Sequence, residues 1–226
     1  MTRCCAIGFC CFLLLATPLS AQGPGQSNSI TAKGVVKSTT VKGRSRSVTV
    51  TTTEGNEFDV AVTPRMKFEV RAKGDAGFVR PGQMLQAQGV LTNGRLFSND
   101  VEVILLPKGR TAPPGRMEKS ARSSGASVNT FDVSGPIIAA QQDTDYPDYL
   151  AVALKTIGKP TVLMLGQNFK VAVVSDDMEL VKEGMPVELE AVPGPGGRPL
   201  FVRLTVALPD PLKSEDVLGV LEADAN

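Results

Sequence analysis

The sequence predicts an all-β protein: two small five-stranded Greek-key barrels in tandem, joined by a flexible linker. Three observations predict it. Apolar and polar residues alternate over short runs bounded by Gly, Pro and Asn, the period-2 pattern of half-buried strands. The pattern is also written twice. Phe78-Val79-Arg80-Pro81-Gly82, an alternating run, a Gly turn, Arg95-Leu96-Phe97 and a close at Pro107 recur as Leu180-Val181-Lys182-Glu183-Gly184, an alternating run, a Pro/Gly turn, Arg198-Pro199-Leu200-Phe201 and a close at Pro209. Between the copies, Pro113-Pro114 and Ser123-Ser124-Gly125 have the composition of a linker.

In the first copy, residues 30–107, Val35-Val36 belong to the first strand, and Gly34 permits a bulge or bend there. The β-branched run Val48 to Thr53, the tight Glu54-Gly55-Asn56 and then Glu57 to Val62 read as a hairpin with Phe58, Val60 and Val62 on one face. Met66 to Val70 either extends that strand or forms a short one of its own. An irregular or briefly helical connection follows from Arg71 to Arg80. Met84–Leu91 and Leu96–Leu105 flank Thr92-Asn93-Gly94, and Asn-Gly is a strong two-residue hairpin signal.

The second copy, residues 127–209, repeats that order. Its strands lie near Phe131–Ala140, Tyr149–Thr156, Thr161–Val174 (with a break allowed at Gly166), Val187–Val192 and Leu200–Leu208, with a connection from Ser175 to Gly184. Five strands with an insertion between the third and fourth match the OB type of Greek-key barrel; another five- or six-stranded barrel or sandwich is the alternative. Residues 108–126 form the basic linker and 210–226 a tail. In the tail, Ser214 to Glu222 fits a short helix capped by Ser214, a last edge strand or a frayed end.

The Gly34-Val35-Val36 opening, the hairpin after it, and the phrases Val79 to Leu85 and Val181 to Val187 that introduce the fourth strands resemble the small exported OB-like barrels of unknown function in bacteria. That resemblance implies a barrel fold and an extracytoplasmic location, and brings no catalytic residues.

The first 21 residues read as a signal peptide: Arg3, the apolar run Ala6 to Ala16, and Leu19-Ser20-Ala21 as a cleavage site. The run is shorter than the roughly 20 residues a membrane span needs. Residues 22–29 are a polar lead-in. Cys4, Cys5, Cys10 and Cys11 all fall inside the signal, so the exported chain has no disulfide, thiolate nucleophile or thiolate metal site, and the chain has no His. A secreted or periplasmic location is expected.

Charge is unevenly placed. Residues 22–125 carry 16 Lys and Arg against 8 Asp and Glu, a net of +8, and residues 126–226 carry 7 against 15, a net of −8. The asymmetry is sharpest in two equivalent loops between the first and second strands. The first holds Lys37, Lys42, Arg44 and Arg46; the second reads Asp143-Thr144-Asp145-Tyr146-Pro147-Asp148. In OB barrels this loop borders the ligand face. The basic loop reads as an anion or partner site, as a surface docking on the acidic loop, or as solvated charge.

Asp143, Asp145 and Asp148 offer the oxygen ligands Ca²⁺ takes, without the EF-hand glycine or terminal bidentate Glu; with Tyr146 they also form a partner-docking candidate. Asp176-Asp177 with Glu179 reads the same way. Tyr149 either joins Tyr146 as an interface anchor or tucks inward, and Arg65, Lys67, Arg71 and Lys73 read as a solvated strand face. Nucleic acid is disfavoured, because single-strand binding by such barrels relies on exposed rings and Phe58 and Phe97 fall at core positions. With no P-loop, nucleophile elbow or paired catalytic carboxylates marked, no enzyme and no cofactor is expected. The expected function is noncatalytic binding or structural support in the cell envelope, with a protein or envelope polymer as partner. The alternative is a binder of polyanions or anionic surfaces through the basic barrel and linker. Self-association through the opposite charges is a further expectation.

Overall fold

The computed structural model describes residues 29–43, 45–107, 110–120 and 129–219. The signal segment, most of the lead-in, Arg44, parts of the linker and the last residues of the tail lie outside them. Twelve strands join in one continuous sheet. The first copy of the repeat supplies β1 (Ile30–Lys42), β2 (Ser45–Thr52), β3 (Glu57–Ala61), β4 (Lys67–Gly74), β5 (Met84–Thr92) and β6 (Arg95–Leu105). The second supplies β8 (Thr130–Gln142), β9 (Tyr149–Leu154), β10 (Thr161–Ser175), β11 (Pro186–Pro193) and β12 (Pro199–Ala207). Between them runs β7 (Arg116–Lys119), and a short helix α1 (Ser214–Leu218) ends the described chain.

Alternation builds these strands as the sequence reads. In β2, Val48 and Val50 are fully buried while Thr49 and Thr51 face outward. The β5–β6 turn has Asn93 at φ 50° and Gly94 at φ 76°, the left-handed pair that a two-residue hairpin requires and that Asn-Gly supplies at least cost.

The two copies do not each close on themselves. Five strands form a closed barrel: β5 pairs with β6, β6 runs parallel to β10, β10 pairs with β9, β9 with β8, and β8 returns to β5. The other strands run β3-β2-β1-β11-β12-β4 as an open sheet over a second core, with β4 parallel to β12. The early strands of each copy, β1–β4 of the first and β8–β10 of the second, are thus completed by the last two of the other. Leu85, Leu96 and Val103 share one core with Val152, Leu154 and Leu163, while Val48, Val50 and Val70 share another with Val187, Leu189 and Leu204. This corrects the expectation of self-contained units at 30–107 and 127–209.

The connections between third and fourth strands carry the exchange. Each opens on an Asp whose carboxylate accepts a backbone N–H two residues on: Asp75 from Gly77 at 2.8 Å and Asp177 from Glu179 at 2.9 Å. Each then makes a single 3₁₀ turn, Ala76–Phe78 or Met178–Leu180. Phe78 is fully buried in the closed core, whereas Met178 and Val181 are buried in the open one. Replacing Phe78 by Ala would cost about 3–5 kcal/mol. Asp177 is therefore a turn cap.

Three further expectations change. Arg71 to Gly74 continue β4, because β4 finds a partner in β10: Val70–Gly74 pair antiparallel with Ser175–Val171. There is no room for a side chain at Gly74, where a Cβ would sit 2.6 Å from Val173 Cγ2 and 2.9 Å from the Phe78 ring. β10 runs unbroken through Gly166 and takes up its irregularity as a register shift between Leu165 and Lys170. Part of the expected linker is a strand, β7, lying along β8.

The tail forms a helix, and Ser214 is not its cap. The Ser214 N–H donates to Asp75 Oδ2 at 2.9 Å, and Arg80 donates to the carbonyls of Leu218 (2.6 Å) and Gly219 (3.1 Å). Leu212 and Leu218 pack on the closed core, so the end of β12 in the open sheet is strapped to the closed barrel.

Two outcomes are expected. A protease site at Ser123-Ser124, once cut, leaves two fragments that co-elute as one particle in size exclusion and part only in denaturant; tandem barrels would separate at once. Burial raises the Asp75 pKa, but the hydrogen bonds from Ser214 and Gly77 and the nearby Lys213 charge outweigh it and hold the value below the ordinary one. A carboxylate held low contributes stability above its unfolded pKa of about 3.9 and loses it as pH falls through the folded value. The protection of the Gly219 amide relative to its intrinsic exchange rate should therefore fall in acid, and Asp75→Asn should remove that pH dependence.

Candidate functional site

Strand exchange makes one sheet face continuous across both cores. From β12 through β4, β10 and β6 to β5, its outer side floors an open groove of about 1080 Å³. Alternation decides what lines it. In β4, Phe68, Val70 and Ala72 turn inward and Lys67, Glu69, Arg71 and Lys73 outward; in β10, Lys170, Ala172 and Val174 face out; in β6, Asp100, Glu102 and Ile104 do.

Arg71 spans the junction. Its Nη1 lies 2.9 Å from Glu102 Oε1, with β10 between the two strands, and its Nε lies 3.5 Å from Glu69. The outward residues of β10 nearest that path, Ala172 and Val174, are small enough to leave it clear. Lys67 closes the network at 2.5 Å from Glu69. Lys73, Lys170 and Arg110 also line the groove and have no ion-pair partner among the described residues. Of the basic series read as a solvated strand face, Lys67 and Arg71 are thus paired on the groove floor, Lys73 lines it unpaired, and Arg65 stays an exposed residue outside it.

The acidic loop is clasped by the other copy. Asp143 Oδ1 accepts the backbone N–H groups of Asp145 (3.0 Å) and Tyr146 (2.9 Å) and Arg95 Nη1 (3.1 Å). Arg95 Nη2 donates to Asp145 at 2.9 Å, and its Cζ lies 5.0 Å from the centre of the Tyr146 ring. Phe97, Tyr146 and Tyr149 stack edge-to-face, 5.4–6.3 Å apart. Phe97 is therefore on the outer face and not in the core, and both tyrosines join one patch, with Tyr146 42% exposed. Asp148 stands apart, accepting from Gln167 at 2.8 Å. A cation taking Asp143 and Asp145 as ligands would have to displace Arg95. Among the described residues no group of three or more acidic, His or Cys side chains is placed to hold a metal.

The basic residues are not gathered. Lys37 pairs with Glu57 at 2.6 Å, with both side chains about half exposed, a contact worth at most about 1 kcal/mol. Lys42 lies five residues further along β1, roughly 16 Å away at strand rise. It and Arg46 sit on the exposed outer end of the β1–β2 ribbon, opposite Ser45 and Val41, and neither has an ion-pair partner among the described residues. Arg44 lies outside the described residues. None of Lys37, Lys42 or Arg46 pairs with the 143–148 loop; the partner of that loop is Arg95, which sequence reasoning passed over because it sits in the other copy's hairpin.

No family model, curated protein or solved structure matches this chain. No helix among the described residues is long and apolar enough to cross a membrane.

The Asp143 carboxyl is raised by burial but held low overall by the two backbone N–H groups and the Arg95 guanidinium. Its contribution is present above the ordinary carboxylate pKa of about 3.9 and lost as pH falls through the folded value. Arg95→Ala should lower Tm near neutral pH and shift the Tyr146 ring resonances; the Tm difference should shrink as pH falls through the lowered Asp143 value. A Tm difference unchanged by acid would mean that Arg95 acts only through packing.

Proposed function

We propose that this chain is an exported, noncatalytic binding or structural protein of the cell envelope, secreted or periplasmic, that holds a protein or envelope polymer in the groove between its barrels. Both the closed barrel and the open sheet beside it, taken as a second and open barrel, are read as OB-like. A structural kinship with small exported bacterial OB-like barrels belongs to the same proposal.

One observation carries it: a preformed groove whose floor is a lattice of opposite charges on a rigid sheet. Glu69, Asp100 and Glu102 alternate with Lys67, Arg71, Lys73 and Lys170. Such a surface suits a polar ligand of mixed or low net charge better than a uniform polyanion, which would meet Glu69, Asp100 and Glu102 as well as the cations. Ligand sites gather at junctions of this kind, where two rigid bodies meet.

The polyanion reading rests on the exposed, unpaired Lys42 and Arg46 at the ribbon end, and it makes a different demand. Envelope extract is passed over the parent protein, a Lys73→Glu/Lys170→Glu variant and a Lys42→Glu/Arg46→Glu variant. One species held by the parent at physiological salt, and about tenfold more weakly by the groove variant, a loss of about 1.4 kcal/mol, supports the groove. Equal retention by parent and groove variant sinks it. Retention at low salt alone, abolished in the ribbon variant, moves the function to nonspecific polyanion binding.

A further inference from the structure

Strand β7 occupies a place in the closed barrel that the open barrel leaves unfilled. In the closed barrel, β9 covers the edge of β8 only from Ile137 onward. β7 takes the remainder, with Arg116–Lys119 antiparallel to Phe131–Ser134. Met117 is in register with the buried Val133, so it points inward, packs on the core and brings its Sδ 3.9 Å from the Thr161 hydroxyl. Gly115 completes the seal, donating to the Lys155 carbonyl and accepting from the Ile157 N–H.

The open barrel has the same arrangement without that strand. β2 covers β1 only from Gly34 onward, and the Thr53 N–H reaches one residue further, to the Lys33 carbonyl. The opposite edge of β1 is taken by β11 from Ile30. Thr31 has the same parity as Lys33, so its N–H and C=O point away from β11, and among the described residues no strand lies there. Beside this edge the barrel mouth is apolar. Ile30 is in register with Ala191, and Ala191 with Phe201, which puts all three on the inward face. Ile30 is nevertheless 64% exposed, and Phe58 and Phe201, 5.5 Å apart edge-to-face, are only half-buried.

We infer that this edge takes an extended segment of a partner polypeptide, added as a strand antiparallel to Ile30–Lys33. One apolar side chain of that segment enters the mouth at Ile30, Phe58 and Phe201, as Met117 does in the closed barrel. Main-chain hydrogen bonds supply the affinity and the single apolar side chain the selectivity, the logic of strand addition at an open sheet edge. β7 itself states the chemistry required: one apolar residue flanked by charged ones. Residues 22–28, which lead into β1, hold no apolar side chain to fill the mouth. The site is separate from the groove and does not depend on it.

The test follows the amide of Thr31 by NMR in the whole protein, titrated with a capped peptide of the β7 sequence, Gly-Arg-Met-Glu-Lys-Ser. Saturable shifts confined to Ile30–Lys33 and the two Phe rings are expected, with Thr31 exchange slowed about tenfold or more. A peptide with Asp in place of Met should give neither. Thr31→Pro should abolish binding while leaving the fold intact, since an outward-facing N–H is where an edge strand tolerates proline; Ile30→Asp, which keeps the backbone, should weaken it too. No response at Thr31 to millimolar peptide overturns the inference. So does a Thr31 amide already protected without peptide: in proportion to protein concentration, the occupant is a second copy, and independently of concentration, it is the chain's own lead-in. Shifts at Lys73 and Lys170 instead of Thr31 assign the peptide to the groove and overturn the edge site.

Discussion

Five residue pairs between β4 and β10 hold this molecule together. Val70–Gly74 and Val171–Ser175 come from equivalent places in the two copies and lie antiparallel to one another. On its far side each strand has a parallel neighbour from the opposite copy, β12 beside β4 and β6 beside β10. Parallel neighbours demand long crossovers, and the exchanged connections provide them. One sheet thus encloses two cores, and neither core contains the strands of a single copy. The groove exists because the junction is itself a pair of strands, with Ala172 and Val174 leaving the path between Arg71 and Glu102 clear.

Strand positions were legible in the sequence because they depend on local alternation and turn chemistry. Val48 and Val50 against Thr49 and Thr51, and the Asn93-Gly94 turn, needed no knowledge of partners. Pairing was not legible. Arg71 to Gly74 look like a connection, since their strand character comes from a neighbour a hundred residues away. Arg116–Lys119 has the composition of a linker and becomes a strand because part of the β8 edge lies open beside it. Phe97 sits at a core-like position in an alternating run, but the register shift in the β5–β6 ladder falls between it and the core residue Val101, and its ring meets Tyr146 and Tyr149 outside.

The candidate sites divide the same way. The acidic loop stood out as a run, and its internal work was readable in part, since an Asp at the head of a tight turn commonly accepts backbone N–H groups. Its cation was hidden, because Arg95 belongs to the other copy. The groove was invisible as a site: its charges are spread over several strands from both copies, and in each strand they look like an ordinary solvated face. The repeated Asp75 and Asp177 turns were a usable signal, the same residue opening the same crossover twice.

Exchange also fixes the order in which the molecule can be assembled. The closed barrel lies within one stretch of chain, from the Asp75 turn to Ser175, so it can form as soon as that stretch is available. β1 must wait for β11, which pairs Ile30 with Ala191, and closing so long a loop is entropically costly and slow. During that interval β1, β2 and β3 form a three-stranded meander with Val36, Val48 and Val50 uncovered on one face. The already folded neighbour then serves as a template: β4, anchored to β10, presents the edge that β12 joins, and the late hairpin completes the second core upon the first.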